Sequence, residues 1–311
     1  MNTLREALNE YLQLRHDLGF KLSEARRLLP HFVTFLEEHH CTYISTRLAV
    51  EWAQYATSGK PIEWGHRLSH IRGFARYRFA TDERTEVPPA GLMPCRSVRA
   101  TPYLYTDEEI VQLLNAALNL PTNRHSTPVR PWVFYCLFGL LSTTGMRYSE
   151  ALDLHLSDLD LKQALLTIRN PKMGRTRLVP LHISTVTALE SYLRKREDFF
   201  GPAISPHVFV SGTGNRLDQA HLHRTFYALS RQIGLRGEHS SHGPRIHDLR
   251  HRFAIRTLFQ WYQAGEDVIR LLPVLSTYLG HVRVQDTYWY LSAWPELMAQ
   301  AMTRLERRWG E

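Results

Sequence analysis

Through the first 85 residues, apolar positions recur every three to four residues, the period of a helix with one face on a core. In LREALNEYLQLRHDLGF they fall at Leu4, Leu8, Tyr11 and Leu12, and Gly19 ends the run. SEARRLLPHFVTFLEEHH opens on Ser23, a residue suited to an N-cap. STRLAVEWAQYATSG opens on another capping residue and stops at Gly59. In PIEWGHRLSHIRGFARYRFATDER, Leu68, Ile71, Ala75 and Phe79 share a face, while His66, Arg67, His70, Arg72, Arg76 and Arg78 fall elsewhere.

The pattern then breaks. TEVPPAGLMPCRSVRATPYL carries Pro88, Pro89, Pro94 and Pro102 and reads as an extended linker, 86–104. It divides a helical domain, 1–85, from a second domain, 105–311. That domain opens with Thr106 and Glu109 at capping-box spacing. PWVFYCLFGLLSTTG is apolar all round, a buried helix closed by Gly145. ALLTIRNPKMGRTRLVPLH alternates and is β-branched at both ends, which predicts a hairpin with NPKMGR in its middle. From His182 the helical period returns through STVTALESYLRKRE, LDQAHLHRTFYALSRQIG, HDLRHRFAIRTLFQWYQAG and EDVIRLLPVLSTYLGH. A last helix sets Met298, Ala301, Met302, Leu305 and Trp309 on one seam. The fold class this predicts is mainly α with a small β-sheet.

Composition narrows the partners. The 311 residues are 43% hydrophobic and 22% charged, enough for two packed cores and wrong for a disordered chain. A formal net charge of +8 favours a polyanion, most simply nucleic acid. Cys41, Cys95 and Cys136 are scattered without a CxxC pair, which favours reduced thiols over a disulfide framework or zinc ribbon. The charged, amphipathic start is unlike a signal peptide, and the apolar run 132–141 is too short to span a bilayer. A cytoplasmic, nucleoid-associated protein with no membrane partner is expected.

Several polar positions stand out, each with an ordinary explanation. Arg147 follows Gly145 and has Glu150 one turn on, a common surface pair. Lys172 lies in the hairpin turn. His247 and His251 have metal-ligand spacing, but HExxH is absent and no third ligand is evident. His281 follows Gly280, and Tyr288 and Tyr290 come soon after. Asp153, Asp158 and Asp160 sit in a charged stretch with no partner motif for a Mg²⁺ site.

Together these residues suit one reaction, the breaking of a DNA phosphodiester without a metal. Arginine donates two parallel hydrogen bonds to phosphate and keeps its charge. Histidine donates hydrogen bonds and moves protons near neutral pH. A lysine protonates the leaving oxygen, and a tyrosine hydroxyl attacks and holds the phosphate covalently.

The order R…K…HxxR…GH…Y resembles that of the tyrosine recombinases, the phage and transposon integrases among them. TTGMRYSEALDL is similar to the family's first-arginine box, KMGRTRLVPL to its hairpin box, HDLRHRFA to its HxxR box and YLGHVRVQDTYWYL to its last box. The resemblance runs from about Gly145 to Leu291. It implies a helical core-binding domain and a mixed α/β catalytic domain that clamp DNA. It further implies that Arg147 and Arg250 bind the scissile phosphate, that His247 and His281 assist, and that Lys172 is the general acid. The family's tyrosine lies nine residues after the LGH histidine and three after a threonine, which points to Tyr290, with Tyr288 and Trp289 as packing residues. Glu150 reads as support for Arg147, and His251 as structural.

The implied partners are a double-stranded recombination site and a homotetramer or, alternatively, an assembly with related recombinases; no metal or nucleotide cofactor is implied. Arg67, Arg72, Arg76, Arg96, Arg99, Arg175, His223 and Arg224 are the candidate DNA contacts. The segment EDVIRLLPVLSTY is longer than in the commonest members. Two other classes compete: a type IB topoisomerase-like nicking and resealing enzyme, and a non-catalytic DNA-binding accessory protein.

Overall fold

The computed structural model describes residues 2–55, 61–94, 101–122, 127–170, 175–202, 204–240, 242–292, 302 and 306. Lys172, Arg96, Arg99 and, in the C-terminal seam, Met298, Ala301, Leu305 and Trp309 lie outside them; of Arg175 only the backbone is described. The chain divides into two compact units, Met1–Ala100 and Thr101–Glu311.

Among the described residues the first unit holds four helices. α1 (Leu4–Asp17) begins with a capping box in which Thr3 and Glu6 satisfy each other's backbone N–H groups. α2 (Ser23–Glu38) starts where expected but without the expected cap. Leu22 is the N-cap, in the left-handed region at φ 42, and Ser23 is already helical. Leu22 packs partly against the core, which a polar cap at that point would not do. Ser45 does cap α3 (Thr46–Gln54), accepting from the Leu48 N–H.

On α4 (Pro61–Phe79) Leu68, Ile71, Phe74 and Ala75 are buried against Leu29, Phe32 and Leu36. The expected stripe drifts at its end: Phe79 is 49% exposed and Arg78 is 4% exposed. Arg78 tolerates burial because Nη2 donates to the Asn2 carbonyl at 2.9 Å and lies 3.4 Å from the Asp82 carboxylate.

The segment read as a linker is attached to the units in its described parts. The Glu86 N–H donates to the Ile44 carbonyl, Arg72 donates to the carbonyls of Pro88 and Pro89, and Met93 is buried in the first core. Proline lacks an N–H but keeps a good acceptor, and Arg72 uses two of them. At the other end, Tyr105 belongs to the core of the second unit.

The second unit is built around α6 (Arg130–Thr144), which buries ten of its residues. α5 (Asp107–Leu118), with its Thr106–Glu109 capping box, packs beside it. After α7 (Tyr148–Leu152) and a 3-10 turn at Leu156–Asp158 come three antiparallel strands in the order β1-β2-β3. These are β1 (Leu159–Asp160), β2 (Leu165–Asn170) and β3 (Arg175–Pro180), with Ile168 opposite Arg177. α8 (Ile183–Phe200) and α9 (Gln219–Gln232) complete this core through Leu189, Tyr192, Leu222 and Phe226.

α10 (Ile246–Gln263), α11 (Val268–Leu279) and α12 (Gln285–Ser292) share a smaller core of Leu258, Leu272, Leu275, Leu279 and Tyr290. The architecture is therefore mainly α with one small sheet. Among the described residues no helix is long and apolar enough to cross a membrane.

Candidate active site

Two left-handed glycines bring three distant segments together. α6 ends at Gly145, at φ 61, and α11 ends at Gly280, at φ 67. The positive φ strains any side chain at either position, and a β-carbon at Gly145 would also lie 2.4 Å from Phe253 Cδ1. The turn after Gly145 makes Arg147 the N-cap of α7. Its backbone N–H donates to Glu150 Oε2 at 2.8 Å and its Nη1 to Oε1 at 2.9 Å. Its Nη2 reaches the Gly280 carbonyl at 3.1 Å.

Arg250, from the first turns of α10, donates through Nη1 to the Gly145 carbonyl at 2.9 Å and through Nη2 to the Leu279 carbonyl at 2.6 Å. The start of α10 is fixed by Asp248, which takes the Arg245 backbone N–H and is clasped by its guanidinium. The two arginines are thus laced to the ends of α6 and α11.

The electrostatics are strongly positive. Arg250 is 2% exposed. Burial, and then the charge of Arg147, lower its pKa to about 10, which leaves it protonated at neutral pH. Desolvation and the Arg250 charge push His247 down to about 4. Its side chain remains open to solvent, and water there screens part of both effects. Burial pushes Glu150 up, but hydrogen bonds and charges from Arg177 and Arg147 outweigh it and hold the carboxyl below its usual range.

The last box closes the site. Gly280 turns the chain so that His281 N–H caps α11 at the Ser276 carbonyl. His281 Nδ1 lies 2.7 Å from Thr287 Oγ1, and its ring lies parallel to that of Tyr290 with 6.2 Å between centroids. Tyr290 is 2% exposed, whereas Tyr288 is 45% exposed. The two point apart, as about 200° of helical rotation requires. Tyr288 is therefore not the packing residue expected of it; Trp289, 5.4 Å from the Tyr290 ring, takes that place. The Tyr290 hydroxyl lies 3.2 Å from His251 Nδ1, one residue after Arg250 on α10.

Residues 104–296 match the model of the phage integrase family. The chain belongs to the phage integrase family. An integrase/recombinase of Sinorhizobium fredii, y4rB, is 55% identical over 312 residues, spanning 100% of this chain and 99% of the relative. A second from the same bacterium, y4rE, is 33% identical, spanning 97% and 95%. Among solved structures, the Tn1549 transposon integrase in complex with transposon right end DNA has a TM-score of 0.67 at 16% identity, spanning 98% of this chain and 99% of that one. A lambda integrase tetramer bound to a Holliday junction has a TM-score of 0.61 at 19% identity, spanning 91% and 78%. At such identities the likeness is one of fold. As a tyrosine recombinase of this phage integrase family, the chain is an enzyme that cleaves and rejoins DNA strands.

The integrase site also holds residues that the motifs do not name. Arg177, on β3, donates to both oxygens of Glu150, at 3.0 and 2.7 Å, and packs over Gly280. No local sequence signal marks it. Of the candidate DNA contacts, Arg76 and Arg224 are exposed. Arg67 instead lies 3.7 Å over the Trp52 ring, and Arg72 is committed to Pro88 and Pro89, because each finds an intramolecular partner on its own unit. His223 is half-buried with its ring edge on Tyr148 at 5.2 Å, and burial lowers its pKa. Asp153 pairs with Arg216, Asp158 with Arg169, and Asp160 accepts the Gln163 N–H. Among the described residues no group of three or more His, Cys, Asp or Glu side chains is placed to hold a metal ion.

Proposed function

We propose that the chain is a site-specific recombinase that exchanges DNA strands through a 3′-phosphotyrosyl link to Tyr290. The observation that carries this reading is the buried Tyr290, its hydroxyl 3.2 Å from His251 on the helix that also carries Arg250, with Tyr288 turned to the surface. Arg147 and Arg250 have fixed orientations and remaining N–H donors for the non-bridging oxygens of the scissile phosphate. His247, uncharged at neutral pH, and His281 donate further hydrogen bonds. Lys172, by its resemblance to the hairpin lysine, protonates the 5′-oxygen that leaves.

The bond energy is kept in the phosphotyrosyl ester, so a 5′-hydroxyl from another strand can attack it. That chemistry needs neither a metal ion nor a nucleotide. The partner is a double-stranded recombination site. Structural likeness to an integrase tetramer on a Holliday junction supports a homotetramer that exchanges strands between two duplexes.

The test is covalent capture. Duplex fragments tiled across the DNA flanking the chain's own gene map the cleavage site, and a nicked duplex built on that site traps the adduct. Wild type should form the adduct in EDTA, and Tyr290→Phe should bind the DNA without forming it. Adduct formation by Tyr290→Phe would remove the assignment. Supercoil relaxation without recombinant product would reassign the chain to nicking and resealing.

A further inference from the structure

We propose that His251 receives the Tyr290 hydroxyl proton during cleavage and returns it on rejoining. The inference rests on the reading of Tyr290 as the nucleophile. His251 stands one turn after His247 on α10, and its Nδ1 lies 3.2 Å from the Tyr290 hydroxyl, within the reach of a general base. Its ring is held on two sides, by His247 at 4.7 Å edge-on and by Trp289 at 5.3 Å. With its proton on Nε2, the ring presents the Nδ1 lone pair to the hydroxyl.

The neighbouring bases are otherwise engaged. Both oxygens of Asp248 accept from Arg245, and both oxygens of Glu150 accept from Arg177. His281 Nδ1 is paired with Thr287, and that ring meets Tyr290 face to face. His247 lies among Arg250, Arg147 and Arg245, on the phosphate-binding side of the site.

The step balances without a further reagent. The bond from Tyr290 Oη to phosphorus forms as the bond from phosphorus to O5′ breaks. The Tyr290 proton passes to His251 Nδ1, and O5′ takes a proton from the leaving-group acid. On rejoining, the incoming 5′-hydroxyl bonds to phosphorus and gives its proton to the leaving-group acid, now deprotonated, as the bond from phosphorus to Tyr290 Oη breaks, and Nδ1 returns its proton to Tyr290.

The experiment uses the full chain and the nicked duplex built on its mapped site. His251→Ala should bind that duplex like wild type and form adduct roughly 100-fold more slowly or worse, with added imidazole restoring part of the rate. His251→Gln keeps a hydrogen-bond acceptor but no nitrogen that takes a proton, so it should stay slow even where His251→Ala fails to fold. A substrate with sulfur at the bridging 5′ position needs no leaving-group proton, and it should not relieve the defect. Wild-type rates in His251→Gln, or relief by the sulfur substrate, would overturn the assignment while leaving Tyr290 as nucleophile. Adduct from Tyr290→Phe, or no adduct from wild type, would instead remove the nucleophile reading beneath it.

Discussion

Arg177 occupies the space that a side chain at position 280 would need: a β-carbon on Gly280 would lie 2.8 Å from Arg177 Nη1. Gly280→Ala should therefore cost more than the roughly 1–2 kcal/mol of a left-handed non-glycine residue. Thermal melts of Gly280→Ala, Arg177→Ala and the double variant check this. The double variant should lose less than the sum of the two. Simple additivity would show that the close approach has no energetic weight.

Arg250→Lys should fail both as a support and as a phosphate clamp. A lysine cannot bridge the Gly145 and Leu279 carbonyls with a planar fork. A loss of about 1–3 kcal/mol is expected in urea unfolding for the carbonyls left behind. Adduct formation should fall by roughly 10²–10³. A variant that keeps wild-type melting would contradict the first half.

Glu150 makes stability depend on acid. Its folded pKa is depressed, so the stability it contributes is complete above the unfolded value and is lost as pH falls through the folded one. Glu150→Gln should be about 3 kcal/mol less stable than wild type at pH 7. The gap should close as the solution is acidified below the ordinary carboxylate range. Denaturation at several pH values reads it directly, and a constant gap would exclude the ion pairs as its source.

Arg72 and Arg76 should separate cleanly. Arg76→Ala should weaken binding to DNA and reduce the salt slope by about one ion. Arg72→Ala should lower the melting temperature by freeing the strap at Pro88 and Pro89, with the salt slope unchanged. Titrations at several salt concentrations distinguish the two.

Tyr288→Phe should leave both DNA binding and adduct formation intact, since that ring lies at the surface. Loss of the adduct in Tyr288→Phe with retention in Tyr290→Phe would exchange the two assignments.

What could be read from sequence was local. The Thr106–Glu109 box and the opposed faces of Tyr288 and Tyr290 depend on spacings of two or three residues, which helical geometry converts into position. What could not be read depends on distant partners. Arg78 replaces Phe79 at the edge of the core because the Asn2 carbonyl, 76 residues away, accepts from it. Arg177 finds Glu150 across 27 residues, and His251 finds Tyr290 across 39. Leu22 takes a cap position through packing, which capping preferences do not anticipate.

The arginines that frame the site lean on main-chain oxygens, those of Gly145, Leu279 and Gly280. Every amino acid supplies such an oxygen, so no single codon change can delete these acceptors. Genetic drift in the surrounding side chains thus leaves the anchorage chemically intact so long as the two left-handed turns survive. Heritable loss of the framework therefore runs through side chains and turns: the arginines themselves, Glu150, which takes the Arg147 and Arg177 guanidiniums, and the glycines that bend the chain toward them.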